Sequence, residues 1–175
     1  MKNDLVCIKT ADTSSGHVEV HIFSAASSYQ SQTHSATTCC SAGSERVWQL
    51  CDNGDLAWIQ HTQTPSGHVE VGWSAAASNY QKFSRYTTTS LAAEPDGIWQ
   101  LLDNRDLAVI KSDKTHSGCD EVHILSVDLD YQPRPQDFIT AFRNQSGATW
   151  QLLPNRDLAQ IKTTNTTSGH VEVCL

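Results

Sequence analysis

Amide, guanidinium, imidazole and indole side chains recur at matching positions along this chain. A saccharide is held by amide, carboxylate and guanidinium groups beside an aromatic ring, and loops on repeat scaffolds commonly carry such groups. The recurring side chains are therefore candidates for sugar-binding sites. The candidate ligand-binding residues are His17, His68, His170, Asn53, Asn104, Arg105, Asn155, Arg156, Trp48, Trp99 and Trp150.

Each candidate also has a purely structural explanation. Asparagine and arginine in short loops are typical of solvated turns, and Trp-Gln-Leu-Leu is typical of core packing. A metal is a further possibility, because His17, Glu19 and His21 share one face of a predicted strand. Side chains two residues apart on a strand are about 7 Å apart, so a metal would need a second strand to complete its shell. We predict a polar outward face and no metal.

Catalytic motifs are absent from the sequence. It contains no Gly-x-Ser-x-Gly, no phosphate-binding glycine loop and no His-Glu-x-x-His. The aspartates that could act as acid or base recur in every unit, which indicates a role in turns. They are Asp4, Asp55, Asp106 and Asp157. We therefore expect neither enzyme activity nor a cofactor.

The elements that hold these side chains follow from a strict repeat. Trp48, Trp99 and Trp150 stand 51 residues apart, and recurring glycines and Tyr-Gln pairs keep the same step. Such a period indicates a supersecondary unit that buries its apolar surface by stacking on copies of itself. The single domain, residues 1–175, divides into units 5–55, 56–106 and 107–157 and a partial unit 158–175. A residue found in every unit is scaffold or a repeated site, whereas an active site normally needs one unrepeated constellation.

Each unit is predicted to form four antiparallel strands. Residues 99–102 and 107–111 are apolar runs joined by four Asn/Asp-rich residues, which predicts a hairpin. Residues 17–22 alternate between apolar and polar, as in a half-buried strand, and the Thr-rich segment 83–91 supplies a fourth. The pattern predicts an all-β protein. It favours a β-propeller built from 51-residue, four-stranded blades, with a three-fold β-trefoil as the alternative.

The motifs that carry the repeat resemble a known family. Trp-Gln-Leu-Leu-Asp-Asn-Arg-Asp-Leu-Ala-Val-Ile-Lys, Ser-Gly-His-Val-Glu-Val-His-Ile and Ser-x-Tyr-Gln resemble the FG-GAP/VCBS-type propeller repeats, which occur in secreted bacterial and fungal proteins and some fungal lectins. The resemblance covers all units. Repeats of that family usually carry a calcium loop, but the loops here, such as 103–106, are shorter. We expect tight turns with side-chain-to-backbone hydrogen bonds in place of calcium sites.

The composition and charge of the chain limit the classes of partner that it is expected to bind. The formal charge of -7 and a pI near 5.5 argue against nucleic acid, and no apolar run approaches the ~20 residues of a membrane helix. No secretory signal is visible at the N-terminus, so we expect a cytoplasmic protein, or one released without a classical signal peptide. The six cysteines fall mostly at variable positions, and two are adjacent, which favours reduced thiols over disulfides.

The predicted function combines these observations. Three blades are too few to close a propeller, so we expect a homodimer with a ring of about six blades, with four imperfect blades as an alternative. The resemblance implies a lectin with several equivalent shallow sugar sites, which gain avidity on glycans and glycoconjugates. A protein-interaction scaffold is the alternative function, and an enzyme derived from a glycosidase appendage is a third.

Overall fold

The protein is all-β. The computed structural model describes residues 4–43, 45–132, 136–143, 148–153, 155–164 and 166–174, which contain strands and three short 3₁₀ turns but no α-helix. No helix in these ranges is long and apolar enough to cross a membrane. The chain forms two compact units, residues 1–88 and 89–175.

Unit 1 contains two antiparallel sheets. Sheet A has three strands in the order β1-β2-β3, and sheet B has four in the order β4-β5-β6-β7. Neighbours in each sheet are neighbours in the chain, which gives simple meanders. The strands are β1 Leu5–Lys9, β2 His17–Phe23, β3 Gln32–Ser41, β4 Val47–Leu50, β5 Leu56–Gln60, β6 His68–Ser74 and β7 Phe83–Ala92, whose last residues extend past the unit boundary.

Unit 2 repeats this plan with two further sheets. Sheet C has four strands in the order β11-β10-β9-β8, and sheet D has three in the order β12-β13-β14. The strands are β8 Ile98–Leu101, β9 Leu107–Lys111, β10 Cys119–Leu125, β11 Gln136–Arg143, β12 Ala148–Leu152, β13 Leu158–Lys162 and β14 Glu172–Cys174. Sheets B and C confirm the prediction of four antiparallel strands.

The sheets keep the 51-residue period of the sequence, but their boundaries differ from those of the sequence units. Strands β5, β9 and β13 begin at Leu56, Leu107 and Leu158, each 51 residues after the last. A boundary at these leucines falls inside the hairpin that joins the first and second strands of a sheet. A structural repeat therefore begins one strand earlier, at Val47 for sheet B and at Ile98 for sheet C.

The burial of the strands follows the pattern of apolar residues. In β2 the side chains of Val18, Val20 and Ile22 are buried, while His17 is exposed, as period-two alternation predicts. In contrast, β9 is buried on both faces, since every side chain from Leu107 to Ile110 is enclosed. An apolar strand without alternation needs cover on both sides, and within unit 2 sheet D covers the face that carries Ala108 and Ile110.

Each unit has its own core between its two sheets. In unit 1, Val20 and Ile22 of sheet A form one cluster with Leu56 of sheet B, and Trp48 packs against it. In unit 2, Val122 and Ile124 of sheet C cluster with Trp150 and Leu152 of sheet D. The two clusters use equivalent positions of the repeat: β2 of sheet A and the equivalent strand β10 of sheet C each pack on the first strands of the next sheet.

The Tyr-Gln pairs fasten neighbouring segments of the repeat. Tyr80 and Tyr131 are buried in a left-handed backbone conformation, with φ of 62° and 57°. Their hydroxyls donate to the carbonyls of Gly54 and Arg105 at the tips of the preceding hairpins, at 3.0 and 2.7 Å. The Tyr80 carbonyl accepts a hydrogen bond from the Cys39 N–H of sheet A at 3.0 Å. The recurring tyrosine therefore joins a turn, a hairpin tip and, in unit 1, the neighbouring sheet.

The recurring glutamine of Trp-Gln-Leu also bridges two sheets. Within unit 2, the Gln100 side chain donates to the Leu152 carbonyl at 2.8 Å and accepts from the Leu152 N–H at 3.2 Å. A primary amide that bonds both the backbone N–H and the backbone carbonyl of one residue fixes β8 against β12.

We predict that Tyr131→Phe lowers the free energy of unfolding by about 1–2 kcal/mol, because the Arg105 carbonyl loses a buried donor. Urea denaturation followed by fluorescence measures the change. Leu129→Ala is the control, since the Leu129 side chain is 60% exposed, and should change stability much less. Equal losses in both variants would contradict the assigned role.

Candidate functional site

The asparagines that were predicted as loop ligands form hydrogen bonds that close the hairpin tips. The Asn53 carbonyl oxygen accepts from the Asp55 N–H at 3.1 Å, and its amide donates to the Asp55 carboxylate at 2.9 Å. Asn104 and Asn155 make the same pair of bonds with Asp106 and Asp157. The expected tight turns with side-chain-to-backbone hydrogen bonds are confirmed, although Pro154 in the third tip lies outside the described residues.

The recurring aspartates tie each tip to a distant turn. The second carboxylate oxygen of Asp55 accepts from the Ala76 N–H at 3.0 Å, and that of Asp106 accepts from the Val127 N–H at 2.9 Å. Asp4 does the same with Ala25. These acceptors sit at the start of the 3₁₀ turns, where N–H groups need a partner. The predicted turn role of these carboxylates is confirmed.

One pair of predicted ligands meets in unit 2. Asn104 from the tip of sheet C and Arg156 from the tip of sheet D line a polar cleft of about 370 Å³. The Arg156 guanidinium lies 3.8 Å from the Asp106 carboxylate, and Asp128 and Gln136 also line the cleft. Arg105 is not among the lining residues. The cleft offers charged and amide groups but no aromatic ring.

The predicted histidines lie at the other end of the sheets. In sheet B, Leu56 beside the tip pairs with Ser74, whereas Gln60 pairs with Glu70 near the start of β6. His68 begins β6 and is therefore remote from Asn53, and His17 begins β2 in the same way. A ring nitrogen of His17 lies 2.9 Å from the Ser15 carbonyl, which is a local turn contact. His170, next to the Ser168 turn, is exposed. The structure does not bring the histidines together with the hairpin tips.

The three recurring tryptophans pack inside the protein. Trp99 and Trp150 are 5% and 3% exposed, and Trp48 is half-buried against the core of unit 1. The Trp150 ring centroid lies 5.3 Å from that of Phe142. The indoles of Trp99 and Trp150 offer no open face for a sugar ring. Of the two functions considered for them, core packing agrees with their burial.

The strand glutamates have a local role as well. Ser117 donates to Glu121 through both its hydroxyl, at 2.7 Å, and its N–H, at 3.1 Å. The hydroxyl bond is the main reason that the pKa of Glu121 lies below its usual 4.5. Ser66 and Glu70 repeat the hydroxyl contact at 2.7 Å. Among the described residues, no three His, Cys, Asp or Glu side chains are grouped as metal ligands.

We predict that Ser117→Ala destabilises unit 2 near neutral pH and that the difference from the native protein shrinks as the solution becomes acidic. A folded-state pKa below 4.5 adds stability above that pH, and the contribution is lost as the pH falls through the folded-state pKa. Urea denaturation at about pH 7 and about pH 3 measures this. A difference that is constant across the range would contradict it.

An aromatic pocket that the sequence prediction missed lies on sheet B. It has a volume of about 460 Å³ and is walled by one face of the sheet and the loop after β5. The pocket combines three aromatic rings, a guanidinium, a carboxylate and two amides. Its lining residues are Arg46, Trp58, Gln60, Gln63, Pro65, Glu70, Phe83 and Tyr86.

Trp58 organises the aromatic part of this pocket. The Arg46 guanidinium lies 4.2 Å from the centre of the indole, within the range of a cation–π contact, and its Nε donates to the Gln60 side chain at 3.1 Å. The ring centroids of Tyr86 and Phe83 lie 5.8 and 6.4 Å from Trp58. Trp58 itself is buried, whereas Tyr86 and Phe83 are 55% and 52% exposed. The pocket therefore presents the exposed rings of Tyr86 and Phe83, which lie against the buried ring of Trp58.

Glu70 supplies a carboxylate in the same pocket. It is only 4% exposed and accepts from the Ser66 hydroxyl at 2.7 Å. Desolvation raises the pKa of Tyr86, and a hydrogen bond to Glu70 raises it further, so this phenol stays protonated and can donate. The orientation of the carboxylate is thus fixed from two sides.

Two paired residues that differ from their counterparts in the other units make room for the Trp58 ring. Trp58 pairs across the strands with Gly72, and a Cβ at Gly72 would lie 2.5 Å from Cε2 of the indole. The equivalent cross-strand pairs are Cys7 with His21, Val109 with His123 and Gln160 with Cys174. The large ring and the glycine thus occur together, and only in sheet B. Comparing the units position by position would have revealed this pair.

No known family matches the chain, and neither do any curated proteins or solved structures. The functional argument therefore depends on the residues themselves.

We predict that Gly72→His lowers the free energy of unfolding by more than about 2 kcal/mol, because the new side chain overlaps the Trp58 ring. In a Trp58→Val background the same change should cost much less, since Val and His form this pair in sheet C. A double-mutant cycle measured by urea denaturation gives the coupling. Additive effects would show that the two positions do not depend on each other.

Proposed function

We propose that the protein is a carbohydrate-binding protein, a lectin without catalysis, and that the aromatic pocket of sheet B holds the sugar. The observation that supports this most directly is the meeting of the exposed Tyr86 and Phe83 rings with Arg46 and Glu70 in one cavity. An aromatic face matches the C–H side of a sugar ring, and charged groups form the stronger hydrogen bonds to its hydroxyls.

The groups in this pocket are held before any ligand arrives. Arg46 lies on Trp58 and bonds to Gln60, while Glu70 is fixed by Ser66. Binding a rigid site avoids the cost of ordering long side chains, which for a small polar ligand is a large part of the available free energy. The pocket volume suits one or two sugar residues rather than a long chain.

This proposal places the site mainly on residues that are not repeated, namely Arg46, Trp58, Phe83 and Tyr86, whereas Glu70 recurs as Glu19, Glu121 and Glu172. In the described part of the chain, the recurring aspartates, glutamine and buried tyrosines are used for turns and packing, so they act as scaffold. The FG-GAP/VCBS resemblance supports a propeller with the sheets as blades. Because three blades are too few to close a ring, we propose that a homodimer closes it, and a ring that displays one pocket per chain would gain avidity through its copies. Glycans or glycoconjugates are the proposed partners.

The polar cleft of unit 2 is the second candidate for the sugar site. It contains two of the sequence-predicted ligands, Asn104 and Arg156, and this meeting is the observation in its favour. It lacks an aromatic ring, so a sugar there would depend on hydrogen bonds alone. Substitutions in the aromatic pocket and in the polar cleft decide which of the two sites binds the sugar.

We predict that a glycan array identifies a bound sugar and that Tyr86→Ala weakens its binding at least about ten-fold, because a stacking surface is lost. Glu70→Gln should weaken binding by about ten-fold or more through a lost charged acceptor. Isothermal titration calorimetry measures both dissociation constants. Tyr29→Ala removes another exposed tyrosine and should bind as the native protein does.

Three outcomes would count against parts of this proposal. Loss of binding in Arg156→Ala, with native affinity in Tyr86→Ala, would move the sugar to the polar cleft. Absence of any glycan on a broad array, together with a protein recovered by affinity capture, would favour the protein-interaction scaffold. Turnover of a glycan that is abolished by Glu70→Gln would show an enzyme.

A further inference from the structure

We infer that the junction between sheets C and D is a proton-dependent contact, in which Asp120 is held as a neutral carboxylic acid against the Gln160 amide. The contact is therefore pH-sensitive, and it is more stable in acid than at neutral pH. This property goes beyond the proposed function and does not involve the aromatic pocket of sheet B. Two residues of unit 2 that differ together from their counterparts in unit 1 carry the inference.

Asp120 and Gln160 occupy positions that form an apolar contact in unit 1. Val18 of β2 and Trp58 of β5 lie in one buried cluster between sheets A and B. Two repeat periods later, these positions hold Asp120 of β10 and Gln160 of β13. An acid and an amide thus replace a valine and a tryptophan that pack against each other.

The two polar residues lie on the faces of sheets C and D that meet. Val122, two residues after Asp120, is part of the core between these sheets, and Leu158, two residues before Gln160, packs against that core. Side chains two residues apart on a strand point to the same face, so Asp120 and Gln160 point into the same junction. Both are enclosed there, with exposures of 0% and 1%.

Both buried groups need hydrogen bonds. Among the described residues, neither carboxylate oxygen of Asp120 and neither amide atom of Gln160 has a hydrogen-bond partner of normal geometry. An ionised carboxylate is costly in such a place, and a primary amide without partners is costly too. Burial accordingly raises the pKa of Asp120 above its usual 3.8, and the nearby Ser112 hydroxyl offsets part of the rise.

A proton on Asp120 supplies the missing partners on both sides. A carboxylic acid has an O–H donor and a carbonyl acceptor, and the Gln160 amide has the complementary carbonyl and NH₂ groups. The neutral acid and the amide can therefore form two hydrogen bonds with each other and place no charge in the core. An ionised carboxylate can only accept, which leaves the amide oxygen unpaired.

The other ionisable groups on the faces that form this junction come from sheet D. Sheet C contributes apolar side chains to the same core. Lys162 shares the face of Gln160 by alternation, and it pairs in register with Glu172, so that their opposite charges largely cancel. The remaining groups on this face, along and just before β14, are His170 and Cys174. The fully enclosed Asp120 is therefore the acid whose charge depends most on this junction.

Linkage gives the sign of the pH dependence. The folded chain keeps a proton on Asp120 that the unfolded chain releases around its usual pKa of 3.8. The stability contributed by the acid–amide pair is therefore complete below that pH, and it is lost as the pH rises through the raised folded-state pKa. Between the two pKa values, one proton changes the folding equilibrium constant by about ten-fold per pH unit.

The first test compares the native protein with Asp120→Asn, which keeps a polar side chain of the same shape but cannot lose a proton. Urea denaturation from about pH 4 to about pH 7 should show the native folding constant falling relative to that of the variant, by about ten-fold per pH unit until the folded-state pKa is reached. Asp103→Asn is the matched control, because Asp103 is exposed in the same unit, and its ratio to the native protein should stay constant. A ratio of native to Asp120→Asn that is independent of pH would overturn the inference.

Carbon-13 nuclear magnetic resonance of the aspartate carboxyl groups tests the proton in the native protein itself. The spectrum of Asp120→Asn identifies the Asp120 signal by its absence. That signal should titrate above pH 3.8 in the native protein. Titration at or below this value would show an ionised carboxylate in the junction and would overturn the inference.

A double-mutant cycle tests the pairing with Gln160. Asp120→Val and Gln160→Leu each leave one buried polar group unpaired, whereas the double variant restores an apolar contact. At about pH 4 the two changes should therefore be coupled by at least about ten-fold in the folding constant. Additive effects would show that the acid and the amide are not partners. None of these measurements depends on glycan binding, so their outcome is separate from that of the proposed function.

Discussion

The central strands β5 and β9 are apolar on both faces, and this constraint explains much of the structure. A strand such as β9, enclosed from Leu107 to Ile110, is stable only when both of its faces are covered. Within each unit the neighbour is another copy of the same sheet, which contributes leucine and tryptophan from its first strands. The repeat period of 51 residues is the length of chain needed to build one layer and return to the start of the next.

Most of the recurring polar residues hold these layers in register. The tip asparagines and aspartates satisfy backbone groups that a tight turn leaves without partners, and the buried tyrosines reach the tip carbonyls from a distant turn. Buried polar groups must find hydrogen bonds, so a repeated fold needs the same solution in each copy. Repetition alone therefore indicates structure at least as strongly as it indicates a repeated ligand site.

The sequence predicted the fold to the level of strands and turns, because alternation in β2 and the Asn/Asp hairpin tips are local signals. It also predicted that the aspartates close turns. The choice of ligand residues was less successful as a guide to one site, because His68 and Asn53 belong to opposite ends of sheet B. That separation depends on strand direction, which single residue types do not reveal.

The aromatic pocket was missed for a different reason. Trp58, Gly72 and Tyr86 lie on three consecutive strands and become one site only when β5, β6 and β7 align. The usable signal was the departure of these positions from the repeat, since the units otherwise hold Cys7, Val109 or Gln160 where sheet B has Trp58. In a repeat protein, residues that break the pattern together are the first candidates for a single functional site.

The most direct test of this account is nuclear magnetic resonance of the five tryptophan indole N–H groups while a glycan identified by array is added. The account predicts that the Trp58 signal shifts with ligand concentration and that the signals of Trp99 and Trp150 stay in place. Shifts confined to backbone signals of Asn104 and Arg156, with Trp58 unchanged, would contradict it.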